Sequence, residues 1–250
     1  MNEAVVKALV DAAELKKSDS VLEIGAGTGI ITREILKHPI KEVHAIEVHD
    51  RLIPLLKKSF ENDSRVRILG EDFLQTDLHA ISFTKVVSSP PYAISDDIMY
   101  ALFRKGFSIA SLVWQLEFAE KLLAPPGSGE YHALSVLCQN AYNGTILQKI
   151  SPQSFYPSPQ QFSAILVLKR KKKVLEPSNY DSFVKFLKTI FRFRNKTISN
   201  VLNQAQRHFP IPKSAEKIQE VLRKMKIDDV KLFLLEPEEI VKLFNTLFEK

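Results

Sequence analysis

The sequence predicts an α/β fold: a mostly parallel sheet wrapped by helices, followed by a small all-helical region. Three observations point there. Short apolar runs alternate with longer amphipathic stretches from residue 20 to about 168, a glycine-rich turn follows the first apolar run, and beyond residue 173 only helical periodicity remains. Candidate strands cover residues 20–24, 42–47, 66–69, 85–88, 110–115, 145–150 and 164–169. Between them, residues 30–37, 51–60, 96–106, 117–123 and 134–141 carry helical periodicity. A turn-rich loop without a helix separates the last two strands, so they can pair antiparallel at one edge of the sheet. The opening residues place Glu3, Lys7, Asp11 and Glu14 at helical spacing, a pattern expected of neither a signal peptide nor a membrane span.

Glu176-Pro177-Ser178 reads as a linker into the second region. There Phe183, Phe186, Leu187, Ile190 and Phe191 fall on one helix face, and residues 201–206, 215–224 and 237–248 read as further helices. With 45% hydrophobic and 26% charged residues, disordered, collagen-like and disulfide-scaffold classes are excluded. Cys138 is the only cysteine, so no intrachain disulfide forms, which fits a reducing compartment. The net charge of +6 is uneven: residues 1–168 carry 16 Lys and Arg against 19 Asp and Glu, whereas residues 169–250 carry 19 against 10. Such a basic last third fits a polyanionic partner; a well-solvated helical domain is the other reading.

In Glu23-Ile24-Gly25-Ala26-Gly27-Thr28-Gly29, three alternating glycines lie directly after a strand and before a helix. Glycine permits a tight turn and a close backbone approach, so the loop can wrap a cofactor where Cβ atoms would collide. The spacing is GxGxG, not the dinucleotide GxGxxG. An acidic residue before the first glycine, Glu23, points away from a phosphate site and towards a cofactor with a positive end; S-adenosylmethionine has an ammonium, a sulfonium and no phosphate. Glu47, at the end of the second strand, is placed to accept both ribose hydroxyl protons. Asp72, after the third strand, is placed to accept from the adenine amino group. Each acid alone also fits a solvated strand end. Together, in this order, they point to cofactor binding, because ligands of parallel sheets sit at the carboxyl ends of the strands.

After the fourth strand comes Ser88-Ser89-Pro90-Pro91-Tyr92. The exocyclic amine of a base is a poor nucleophile, since its lone pair is delocalised into the ring. A site can help by accepting both N–H groups, one on the side chain of Ser89 and one on the Pro90 carbonyl, while the Tyr92 ring grips the base face. An ordinary Pro-Pro turn is the structural alternative.

At this point the sequence resembles the ribosomal RNA adenine N6-dimethyltransferase family, particularly its archaeal members. Besides the glycine loop and Ser89-Pro90-Pro91-Tyr92-Ala93-Ile94-Ser95, the resemblance rests on Gln115-Leu116-Glu117-Phe118-Ala119, Phe155-Tyr156-Pro157-Ser158-Pro159, Ser163 and Ile190-Phe191-Arg192-Phe193-Arg194-Asn195-Lys196. It implies a Rossmann-like class I methyltransferase domain over residues 1–173 and a helical RNA-contacting domain over residues 174–250. The implied substrate is a pair of adjacent adenosines near the 3′ end of small-subunit ribosomal RNA, dimethylated at N6 in immature subunits. Carried onto matching positions, Gly25, Glu47 and Asp72 bind the cofactor, and Ser89 bridges cofactor and target; Glu23 and Gly27 join the cofactor set from the reading of the glycine loop. Phe155 is the second aromatic face opposite Tyr92; core packing is the other role open to it.

Two departures stand out. The family usually has Asn where this chain has Ser89, so a shorter hydroxyl replaces an amide acceptor. Family members also usually begin with a basic segment ending in a Gly-Gln-Asn-Phe-Leu-like stretch, and Met1 here follows that point. Both motivate a second reading, a catalytically weak RNA-binding assembly factor that keeps the fold. A third, a DNA amine methyltransferase, rests on Ser-Pro-Pro-Tyr alone. The six histidines are scattered, so no metal is expected; Cys138 and Trp114 are expected in the core. The run of residues 169–173 and the Arg192, Arg194, Lys196 cluster are candidate phosphate contacts. A cytoplasmic monomer with no membrane partner is expected.

Overall fold

The computed structural model describes residues 1–248. Its sheet is organised around β1 (Ser20–Ile24), all five residues of which are buried, as a central parallel strand requires. On one side β2 (Glu42–Ile46) runs parallel, in register from Ser20 opposite Glu42 to Ile24 opposite Ile46. On the other side β4 (Lys85–Ser88) pairs only at Val21 with Lys85 and Leu22 with Val86. The parallel strands β3 (Val66–Leu69) and β5 (Ile109–Gln115) extend the sheet beyond β2 and β4 respectively. β7 (Ser163–Arg170) runs antiparallel to β5, and β6 (Tyr142–Ile150) closes that edge, giving the order β3-β2-β1-β4-β5-β7-β6. All seven expected strands are present. β6 starts three residues before the expected 145, because the preceding helix passes directly into extended backbone at Tyr142.

Helices α1 (Glu3–Asp11), α2 (Ile30–Leu36), α3 (Ile53–Ser59), α4 (Ser95–Lys105) and α5 (Leu116–Leu122) accompany the strands. The Asn2 side chain caps α1 by accepting from the Ala4 N–H at 2.8 Å. Val5, Val6, Leu9 and Val10 of that helix pack with Ile31 and Ile35 of α2 and with Val21, Val43, Val87 and Val113 of the sheet. Gly29 opens α2 at φ +77°; a Cβ there would sit 2.7 Å from the Phe60 ring, so only glycine lets α2 lie this close to Phe60.

Residues 1–120 and 143–170 form one compact unit; residues 121–142 and those from 171 onward form the other. The second unit contains α6 (Ala133–Ala141), α7 (Tyr180–Ile190), α8 (Ile198–Ala205), α9 (Ala215–Met225) and α10 (Pro237–Phe248). The apolar face expected on α7 is buried at Phe183, Phe186, Leu187 and Ile190, and Phe183, Phe186, Phe209, Phe244 and Phe248 form a chain of ring contacts. A single division at residue 173 places residues 121–142 with the sheet, whereas the structure groups them with the helical unit, to which several of their polar groups are bonded. The Tyr131 hydroxyl donates to the Leu235 carbonyl at 3.0 Å, the Gly127 N–H to the Phe233 carbonyl at 2.7 Å, and Arg194 donates back to the Tyr131 carbonyl at 3.0 Å.

The buried polar groups of the sheet unit include the Lys85–Asp19 pair, Glu23 and Ser88. At the amino end of β4 the Lys85 ammonium donates to the carbonyls of Ala13 (2.7 Å) and Glu14 (2.5 Å) and sits 3.1 Å from the Asp19 carboxylate, with side chains 5% and 10% exposed. Burial alone would raise the Asp19 carboxyl, but bonds from the Lys16 N–H, Lys85 and Thr84 outweigh it and hold it below its ordinary value. In β1, the fully buried Glu23 carboxyl accepts from the Thr32 hydroxyl at 2.5 Å and leaves Oε1 without a partner; burial pushes it up to about 8. In β4, the Ser88 hydroxyl both accepts from the Ile24 N–H (3.1 Å) and donates to the Ile24 carbonyl (2.5 Å).

Lys85→Met leaves Asp19 buried without its cation and two carbonyls without a donor. The expected loss is about 3–5 kcal/mol, read by urea unfolding. Glu23 acts in the opposite sense: the fold holds a proton that the unfolded chain releases above 4.5, so its contribution to stability declines between pH 4.5 and about 8. Glu23→Gln lacks that slope. Melting curves of parent and variant are expected to converge near pH 4.5 and to separate towards pH 8 in favour of the variant, by on the order of a few kcal/mol.

Candidate active site

The carboxyl ends of β1 to β4 line one edge of the sheet, and the order reverses between β1 and β4, where a ligand crevice is expected. The ladder there stops at Leu22 and Val86; beyond it the Ser88 hydroxyl takes over both polar groups of Ile24. The glycine loop and the Ser89-Pro90-Pro91-Tyr92 turn leave the sheet side by side, and a Cβ on Gly25 would lie 3.5 Å from Pro91 Cδ.

Gly25 and Gly27 both have positive φ, +74° and +60°, and the nearest atom to a Cβ built on Gly27 is 4.0 Å away, so the loop faces open space at Gly27. Glu47, 3% exposed, accepts from the Gly27 N–H at 2.7 Å through Oε2 and from the His49 N–H at 2.9 Å through Oε1. It thus ties the end of β2 to the glycine loop while keeping lone pairs for hydroxyl donors. Asp72 follows β3, paired to β2 through Ile46 and Leu69. Its Oδ1 accepts from the Leu74 N–H at 2.9 Å, which fixes the carboxylate in its own turn. The loop carries no cationic side chain for a phosphate. A glycine cradle rimmed by two carboxylates fits a nucleoside cofactor that lacks phosphates.

Glu23 takes a different place from the one expected. With no exposed surface, it lies beneath the glycine loop and anchors Thr32 in the first turn of α2. A strand residue one step before the turn points into the sheet packing, and the spacing to Gly25 carried no sign of this.

On the β4 side, no protein group bonds the Ser89 hydroxyl or the Pro90 carbonyl among the described residues. Two acceptors therefore stand uncommitted on one turn. Tyr92 opens a single 3₁₀ turn, Tyr92–Ile94, just before α4. Its hydroxyl meets the Ser163 hydroxyl at 2.9 Å, and its ring is tilted 48° to Trp114 at 6.2 Å. Burial raises the Tyr92 phenol, partly offset by Ser163, so it stays neutral at physiological pH. Phe155, after the 3₁₀ turn Pro152–Ser154, packs on the same apolar cluster as Tyr92. Trp114 and Cys138 are fully buried, and burial pushes the Cys138 thiol up to about 12. Ser88, Ser163 and Pro91 shape the site without having been singled out for a role; no spacing rule marks a serine whose partner is 64 or 71 positions away. Among the described residues no cluster of three His, Cys, Asp or Glu side chains could hold a metal, and no helix is long and apolar enough to cross a membrane.

The family model described as "Ribosomal RNA adenine dimethylase" matches residues 1–245. A protein of Methanococcus vannielii named "Probable ribosomal RNA small subunit methyltransferase A" is 32% identical over 246 residues, covering 97% of this chain and 91% of the relative. One of the same name from Thermococcus sibiricus is 35% identical over 237 residues, covering 94% and 84%. Among solved structures, a dimethyladenosine transferase from Plasmodium falciparum superposes with a TM-score of 0.83 at 25% identity, covering 97% of this chain and 94% of that one. The 23S rRNA methyltransferase ErmE shares the fold, with a TM-score of 0.69 at 23% identity over 100% and 99% of the two chains. The crevice between the glycine cradle and the Ser89-Pro90 acceptors is thus the candidate site of a chain that belongs to the ribosomal RNA adenine dimethylase family, a family of S-adenosylmethionine-dependent methyltransferases.

Proposed function

We propose that this protein dimethylates N6 of adjacent adenosines near the 3′ end of small-subunit ribosomal RNA, acting as a cytoplasmic monomer on immature subunits. The observation that carries the reading is the pair of uncommitted acceptors, the Ser89 hydroxyl and the Pro90 carbonyl, on a turn whose Pro91 borders Gly25 of the cofactor loop. S-adenosylmethionine, when bound, supplies an activated methyl. The protein's task is then alignment and exclusion of water. Gly25 and Gly27 admit the cofactor, and Glu47 and Asp72 hold its ribose and adenine. Ser89 and Pro90 take the two amine protons as hydrogen-bond acceptors, which turns the nitrogen lone pair towards the methyl. Tyr92 and Phe155 grip the base faces. No strong base is required, since the amine proton is lost readily once the nitrogen is alkylated. The family match over nearly the whole chain favours this enzyme over the assembly-factor and DNA-methylating readings.

We place the helical unit as an RNA contact. Of its basic residues, Lys172, Lys173, Arg192 and Lys196 are exposed, whereas Arg194 is spent on the Tyr131 carbonyl; Lys169 of the sheet unit pairs with Glu14.

Incubation with labelled cofactor and immature small subunits is expected to yield N6-methylated adenine in the digested RNA. Cofactor binding without any such product would overturn the reading. Ser89→Ala is expected to slow the first methyl transfer about three- to tenfold through removal of one hydrogen bond, while Ser89→Asn holds or raises it. Tyr92→Ala and Phe155→Ala should each cost about 1–3 kcal/mol of base stacking with cofactor affinity, measured by calorimetry, unchanged. For RNA affinity, replacing Lys172, Lys173, Arg192 and Lys196 by Ala is expected to flatten the dependence on salt by roughly 0.7–0.9 log units per log salt for each phosphate that is no longer neutralised. Titrations over a several-fold range of salt concentration read that slope.

A further inference from the structure

The loop between β6 and β7, residues 151–162, holds twelve residues and not one charge. It is closed on itself. The Ser158 hydroxyl donates to the Pro152 carbonyl at 2.6 Å, the Ser154 and Phe155 N–H groups donate to the Ser151 and Pro152 carbonyls, and the Ser154 carbonyl accepts from the Asn2 N–H at 2.8 Å. Pro157 and Pro159 stiffen the rest. Phe155 has extended backbone, φ −117° and ψ +155°, so successive side chains leave the chain on opposite sides. Phe155 turns onto the cluster shared with Tyr92. Tyr156 turns out, 97% exposed.

The other end repeats the arrangement. Ser163 is fully buried and holds the Tyr92 hydroxyl, while Phe162 beside it is 54% exposed. Phe155 and Ser163 thus turn inwards, onto the cluster that holds Tyr92 and onto its hydroxyl, while the aromatic ring next to each stays in solvent. Water solvates a bare phenyl face poorly, and the loop has no cation to neutralise a phosphate. Flat, neutral, sequence-tolerant surfaces of this kind bind the faces of unpaired bases. A target adenine drawn out of its strand leaves its neighbours unstacked, and they need a new surface at the pocket mouth.

We propose that Tyr156 and Phe162 form a stacking platform for the unpaired nucleotides flanking the target adenosine. The platform rests on the function proposed above. It makes the enzyme select adenosines in single-stranded segments, because paired neighbours cannot reach the rings.

The test uses the full chain and an RNA hairpin with two adjacent adenosines in its loop, the next nucleotide replaced by fluorescent 2-aminopurine. With the parent protein, stacking is expected to quench the probe. Tyr156→Ala and Phe162→Ala should each abolish much of the quenching and weaken hairpin affinity about tenfold, with kcat at saturating RNA and cofactor affinity unchanged. Tyr156→Phe should restore both, and Tyr156→Leu should not. Parental quenching and affinity in Tyr156→Ala, or full rescue by Leu, would overturn the platform. So would weakened binding to subunits with parental binding to the hairpin, which assigns Tyr156 to a protein contact. If the parent methylates neither hairpin nor subunits, the proposed function itself fails, and the platform with it. Normal methylation with unaltered mutants sinks the platform alone.

Discussion

The site depends on a parting of two strands. β1 and β4 must be neighbours for the sheet to be continuous, and they must separate at their carboxyl ends for anything to bind between them. Backbone pairing would carry on and close the gap. Ser88 interrupts it: one hydroxyl satisfies both the N–H and the carbonyl of Ile24, so the backbone of β4 is released to turn outwards at Ser89 without leaving a buried group unpaired. The glycine loop, whose Gly25 and Gly27 hold positive φ that side chains rarely adopt, fills one bank of the opening. The acceptor turn fills the other.

The same opening explains how polar groups are allotted. Glu47 faces the cradle and is held by two backbone N–H groups, which fixes its orientation while leaving it able to accept more. Ser89, half-buried, and Pro90 are left with no protein partner among the described residues, so both oxygens are free to accept from a ligand. By contrast Glu23 is withdrawn into the packing and tends to be neutral. Two glutamates near strand ends are thus used differently: Glu23, one residue before the last of β1, points into the packing, whereas Glu47, one residue past the last of β2, is turned to the loop.

The sheet, the glycine cradle, Glu47 and the acceptor turn were legible in the sequence because each has a local signature: apolar runs, alternating glycines, an acid at a strand end, a Pro-Pro turn. Glu23 was misplaced because its acidic type suggested a ligand while its strand position dictated burial. Ser88 and Ser163 stand in the motifs, but their roles stayed hidden, since a hydroxyl's partner 64 or 71 residues away leaves no mark in periodicity. The allegiance of residues 121–142 was hidden for the same reason: α6 has the amphipathic look of any crossover helix, and only Leu235, Phe233 and Arg194 reveal which unit satisfies its neighbourhood.

That allegiance has a topological consequence. The polypeptide passes between its two units three times, near residues 120, 142 and 170, so the helical unit is stitched into the chain rather than appended to it. A single protease cut at Glu176-Pro177-Ser178, which lies inside the helical unit, leaves the severed tail held by Tyr131 and Gly127 through their partners in it, and a stop codon there strands the Tyr131 hydroxyl and carbonyl and the Gly127 N–H without partners. No single cut in the chain therefore separates the helical unit from the sheet unit.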